Sequence, residues 1–326
     1  MTSMKTTFVA AMASAVLLTA GAVAQDRSDW PRSFTIGTAS QGGAYFVYGT
    51  GWANYMADSL GIGGGSEITG GPMQNMALVH VGDLDFGLTT LGPAAESLAG
   101  NSSVAPGVQM DQVCAMFPMY ETPFSITVLA SSGIESIADI PDRARIGFGP
   151  AGSTSDTYFP AMLTELGVNF QRRNGGWNDL GAQLQDGLLD VIAFAAGIPI
   201  PAVSQLEVQT DVNIIEFTPE ELATVAAAFP VAEFHIPAST YTTLTEDARA
   251  VSMWNVAITR CDMPESLVYE MTRLTMENND RMVNIHGSAS ATLPENYVHN
   301  NVLPWHAGSA RWFNENGFNI PASQVQ

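Results

Sequence analysis

Gly37-Thr38-Ala39-Ser40-Gln41-Gly42-Gly43-Ala44-Tyr45 and Gly149-Pro150-Ala151-Gly152-Ser153-Thr154-Ser155-Asp156-Thr157-Tyr158 share one pattern. Each follows a β-like run, at 33–36 or 145–148, and each leads into an apolar stretch at helical spacing. Each therefore reads as a strand, a glycine-rich polar loop and a helix N-terminus. Such a corner offers unpaired backbone N–H groups and hydroxyls to a small polar or anionic ligand. Two such corners, far apart in sequence, predict two lobes that grip one ligand between them.

Outward from these corners the same reading continues. Helices are expected at 44–60, 73–80, 155–166, 177–187, 219–229, 264–284 and 307–316, with Pro72 suited to a first helical position. Strands are expected at 67–69, 86–89, 113–117, 124–130, 190–195, 213–217 and 253–259. Strands alternating with helices predict an α/β architecture. The length of 326 residues accommodates two domains.

The N-terminus reads as an export signal. Lys5 supplies the positive end, residues 8–20 the apolar stretch and Ala22-Val23-Ala24 a small-x-small cleavage site, so cleavage after Ala24 and a periplasmic location are expected. Lys5 is the only lysine in the chain, which excludes a Walker phosphate lysine, a pyridoxal Schiff base and lysine general bases from the mature protein. A formal charge of −20 argues against nucleic acid or anionic membrane as partner. Cys114 and Cys261 can pair in an oxidising compartment or rest as two buried thiols; the sequence leaves both open. The five histidines are scattered without metal-ligand spacing, and Ala151-Gly152-Ser153-Thr154-Ser155 lacks the last glycine of a nucleophile elbow. No catalytic residue, metal or cofactor is expected.

Further motifs run in order along the chain. They include Asn75 followed by Gly82-Asp83-Leu84-Asp85, Ser132-Gly133-Ile134, Asp186-Gly187-Leu188-Leu189-Asp190 and Ala196-Gly197-Ile198-Pro199. Ile236-Pro237-Ala238-Ser239-Thr240-Tyr241 and Leu303-Pro304-Trp305-His306-Ala307-Gly308 come later. Together with the two loops, these resemble the TAXI group of solute receptors, the substrate-binding proteins of one branch of TRAP transporters. The resemblance covers nearly the whole chain after the leader.

It implies a type II-like, two-lobed periplasmic binding fold with a hinge, a monomer that captures a small carboxylate such as glutamate or 2-oxoglutarate, and delivery to TRAP membrane permease subunits. A receptor that feeds a membrane sensor would look the same in sequence, and an exported enzyme is the remaining alternative. The chain departs from the family pattern at Pro72, where a serine is usual, at Gly92-Pro93, near which an aspartate is common, and at Thr154, where a glycine usually follows the serine.

With residues 1–24 as leader, residues 25–124 and 236–326 are expected to form the first lobe and 125–235 the second. The chain would then cross near 120–125 and 234–237. In the first lobe the expected ligand contacts are Thr38, Ser40, Gln41, Gly42, Gly43, Tyr45, Asn75 and Thr90; in the second, Ser153, Thr154, Ser155 and Gly197. Hydroxyls beside a helix N-terminus suit a carboxylate, and strand C-terminal ends are where open α/β sheets place ligands. Asp156 would repel an anion and is expected to face outward. Tyr120 and Trp177 are candidate walls. Arg143, Arg145, Arg172 and Arg173 are the basic residues of the second lobe, left outside the expected site.

Overall fold

The computed structural model describes residues 27–326, so the leader expected at 1–24 lies outside the described residues. The first strand, β1 (Ser33–Gly37), runs into α1 (Ala44–Leu60), then β2 (Gly63–Glu67), α2 (Pro72–Val81), β3 (Phe86–Thr90) and α3 (Leu91–Leu98). β1 pairs in parallel with both β2 and β3. The second half repeats this plan. β5 (Ala144–Gly147), α4 (Thr154–Glu165), β6 (Phe170–Arg173), α5 (Trp177–Gln185) and β7 (Val191–Ala195) place β5 in parallel between β6 and β7.

Two long antiparallel strands join the halves. β4 (Val113–Leu129) has 17 residues, about 55 Å at strand rise, and pairs along much of its length with β10 (Ala248–Arg260). The sequence reading divided β4 at its two prolines, yet Pro118 and Pro123 both lie within it. A central strand tolerates proline where the ladder is already irregular. Here Trp254 faces Glu121 but Val256 faces Pro118, so Met119 and Tyr120 both oppose Asn255 in a β-bulge. Side chains occupy the bulge's carbonyls: Asn255 Nδ2 donates to Tyr120 O at 2.6 Å and Thr292 Oγ1 to Met119 O at 2.9 Å.

The remaining elements are α6 (Pro201–Gln209), β8 (Val212–Ile215), α7 (Pro219–Ala228), β9 (Ala232–Ile236), α8 (Glu265–Met276), α9 (Asn279–Ile285) and α10 (Ala307–Glu315). The sheet order is β2-β1-β3-β10-β4-β7-β5-β6, with β8 on β4 and β9 on β10.

Each lobe has its own core. Trp52, Phe86, Phe117, Val256 and Ile258 belong to the first. Phe124, Phe159, Val251 and Met253 form one cluster of the second, and Trp177, Phe194, Ile236 and Ala250 form another. The chain from Ile236 to Met253 thus packs with the second lobe, and Trp254 packs against the first.

Cys114 and Cys261 are bonded across a sequence separation of 147, which decides the alternative left open by the sequence. Cys114 lies in β4, and Cys261 follows β10, whose Thr259 is the partner of Cys114 in the ladder. Closing a loop of this length contributes about 3–5 kcal/mol through the unfolded chain. The Cys114→Ser/Cys261→Ser protein is therefore expected to melt roughly 5–8 °C lower than the wild type under oxidising conditions. Equal melting temperatures by calorimetry would show that the bond adds no stability.

Candidate ligand-binding site

The loops at the C-terminal ends of the parallel strands face one another across the lobes, and a cavity lies between them. It holds about 390 Å3 of unfilled space, part of it open to solvent. Five helices begin at its wall. Gly43, Ala44 and Tyr45 open α1, Gly71 and Pro72 open α2, and Thr90 immediately precedes α3, all from the first lobe. From the second lobe, Ser153 and Thr154 open α4 and Trp177 opens α5. Of these five, only α4 is capped by a side chain, Ser153 Oγ accepting from Asp156 N at 3.2 Å. The positive end of each helix dipole lies at the cavity wall, although Pro72 has no N–H and Met73 N of α2 donates to Gly152 O at 3.5 Å.

A buried polar cluster forms the floor. Asn255 is wholly buried on β10, and its Oδ1 lies 2.6 Å from Tyr45 Oη and 2.9 Å from Thr90 Oγ1. Its Nδ2 lies 2.8 Å from Thr122 Oγ1, and Thr122 lines the cavity from β4. Thr90 Oγ1 in turn meets Thr154 Oγ1 of the other lobe at 2.7 Å. Burial pushes the Tyr45 phenol far above its ordinary pKa, against the smaller opposing effect of Thr90, so it remains a neutral hydrogen-bonding group.

Other bonds also cross between the lobes. Ala202 N donates to Gly42 O at 3.0 Å, and His286 Nε2 lies 3.1 Å from Pro199 O. Gly42 has φ +88°, and a Cβ there would lie 2.3 Å from Asn178 Oδ1, so glycine satisfies both the turn and the close approach. Gly92 meets the second lobe as closely: a Cβ would lie 2.6 Å from Tyr158 Oη.

Of the residues expected at the site, Gly43, Tyr45, Thr90, Ser153 and Thr154 line the cavity. Thr38, Asn75 and Ser155 use their side chains inside their own lobes. Thr38 Oγ1 donates to Glu67 O at 2.7 Å and Ser155 Oγ to Ala193 O at 2.6 Å. Asn75 Nδ2 lies 2.8 Å from both Thr38 O and Leu88 O. Gln41 is exposed, Ser40 Oγ is buried with no hydrogen-bond partner among the described residues, and Gly197 packs on the Tyr120 ring. Asp156 accepts from Gly152 N at 3.0 Å and pairs with Arg172 and Asn174, which fixes the second loop from behind. Asn255 and Thr122 escaped the sequence reading because no local motif marks a polar residue inside a strand.

Two α/β lobes, joined by shared strands and closed over one cavity, make the fold that of the two-lobed solute-binding proteins. The NMT1-like family model matches residues 36–317, and the chain belongs to that family. Among solved structures it resembles MatC from Rhodopseudomonas palustris with bound malate, at 16% identity over 87% of this chain and 98% of that one, with a TM-score of 0.59. A structure described as a periplasmic transporter is similar at 12% identity over 87% and 92%, TM-score 0.57. A further R. palustris protein, with adipate, is similar at 14% identity over 88% and 99%, TM-score 0.55. No curated protein matches the chain. Among the described residues no group of three or more His, Cys, Asp or Glu is placed to hold a metal, and no helix is long and apolar enough to cross a membrane.

Removing the Asn255 side chain leaves Tyr120 O without its donor and the hydroxyls of Tyr45, Thr90 and Thr122 without this acceptor. Asn255→Ala is expected to lower unfolding free energy by about 2–4 kcal/mol. A urea midpoint unchanged from wild type would show the cluster to be dispensable.

Proposed function

We propose that this protein is a periplasmic solute receptor of the TAXI type, which closes over a small carboxylate and presents it to a TRAP permease. The observation that carries the reading is the convergence of five helix starts, from both lobes, on one cavity. Uncapped N–H groups in a closed cleft are costly unless a ligand or water accepts from them. A carboxylate accepts from several at once, and the helix dipoles favour its charge. The malate and adipate in the two R. palustris structures belong to this chemical class.

We further place the lobe boundaries at the two strand crossings, near Tyr120–Phe124 in β4 and Met253–Trp254 in β10. The second lobe then takes in the segment from Ile236 to Met253, in place of a return at Ile236. Closure is a bend of these strands, and the bond from His286 to Pro199 and that from Thr90 to Thr154 belong to the closed form. Ligand stabilises this form because it contacts both lobes.

Small-angle scattering with and without saturating 2-oxoglutarate, malate or adipate tests closure. The acid that binds should reduce the radius of gyration; unchanged dimensions at saturation would remove the closure mechanism. Thermal melting supplies the saturation criterion, since about a hundredfold excess over Kd adds roughly 2.7 kcal/mol. His286→Ala should weaken binding by about three- to tenfold, one hydrogen bond's worth. It should also lower the ligand-free melting temperature, because the ring is buried and its Nδ1 accepts from Ser288 N, so affinity is measured well below that melting temperature. Wild-type affinity in that variant would take His286 out of closure.

A further inference from the structure

The charge inventory of the cavity narrows the ligand beyond the word carboxylate. Among the described residues, those lining the cavity carry no ionised side chain of either sign: the wall is glycine, alanine, proline, Trp177 and hydroxyl groups. The neighbouring carboxylates are turned away. Asp156 is buried behind the second loop, where Arg172, Asn174 and Gly152 N hold its oxygens. Glu121 precedes Thr122 on β4 and so points to the opposite face, where its carboxylate accepts from Ser252 Oγ at 2.8 Å.

An amino acid brings an ammonium group together with its carboxylate. Inside this cleft that ammonium would be desolvated among the positive ends of α1, α2, α3, α4 and α5 with no carboxylate to pair with. Both effects oppose the charged form. An oxo or hydroxyl oxygen at the same carbon meets no such penalty. Thr122 Oγ1 accepts from Asn255 Nδ2 and lies 3.0 Å from Asn255 Oδ1, an oxygen that also accepts from Tyr45 and Thr90. A ligand oxygen in the cavity thus competes for the Thr122 proton with an acceptor that already has two other donors. Thr154, whose proton goes to Thr90 Oγ1 in this arrangement, keeps lone pairs that accept from a ligand hydroxyl.

We infer that the cleft selects carboxylates without an ammonium group, taking 2-oxo, 2-hydroxy or unsubstituted acids and rejecting the α-amino acids of the same skeleton. This rests on the carboxylate reading above and removes glutamate from its range. The test is isothermal titration of the purified mature protein with matched pairs in one buffer at neutral pH: 2-oxoglutarate against glutamate, malate against aspartate, pyruvate against alanine. In the pair whose skeleton fits, the oxo or hydroxy acid is expected to bind at least tenfold more tightly than its amino counterpart. An amino acid that binds as tightly as its partner, or more tightly, overturns the inference and leaves the carboxylate reading standing. The monoamides of the same acids separate the two failures. Amides that bind as well as the acids, or a panel in which no acid binds, overturn the carboxylate reading and the selectivity with it. Thr122→Val supplies the second readout: it should cost the 2-oxo or 2-hydroxy acid several-fold in affinity, and Thr122→Ser should restore it. Equal affinity in all three proteins would remove Thr122 from recognition.

Discussion

The pairing of β4 with β10 is the constraint on which the rest depends. Both strands belong to both lobes, so any irregularity in their ladder sets how one lobe stands against the other. The irregularity occurs where Met119 and Tyr120 face Asn255, beside a proline that cannot donate. Asn255 fills the gap with its own amide and turns the opposite end of that amide toward Tyr45 and Thr90. One side chain thus satisfies a broken ladder and orients the floor of the cavity. Geometry of the joint and chemistry of the site are therefore coupled at one residue.

Charge is partitioned as sharply as structure. Arg145, Arg172, Arg249, Arg260, Arg273 and Arg311 each pair with an Asp or Glu away from the cavity. With no lysine beyond Lys5 and no arginine at the cavity wall, the positive potential in the cleft comes from oriented peptide groups. Such dipoles are fixed by the backbone and carry no side-chain entropy to lose. They also leave the site without a titrating group of its own, since the buried Tyr45 phenol remains neutral.

What was legible in the sequence was local. Glycine-rich loops, apolar spacing and helix starts are written in neighbouring residues, and α1 has the bounds read from its spacing. Gly43, Tyr45, Ser153 and Thr154 could be named because each adjoins such a start, and Thr90 because it ends a strand. What was not legible depends on pairing between distant segments. Pro118 and Pro123 resemble breaks until β10 is laid beside them, and no helix is read at 91–98, where α3 lies. Asn75 looked like a ligand contact because it sits near a helix start, but its amide ties that helix to β1 and β3. The sulfur pairing likewise required the register that sets Cys114 opposite Thr259.

That sulfur bridge has a topological consequence. Its two residues stand 5.0 Å apart between Cα atoms, and all the chain between them, the whole second lobe included, forms one covalently closed ring. With the boundaries proposed above, the second lobe is an insertion whose two ends, at Thr122 and Met253, lie side by side in the β4–β10 ladder. Cut out of the gene, it would leave termini close enough to be rejoined by a turn of a few residues. The molecule is in that sense one domain hosting another, with the two connecting strands bridged inside the host.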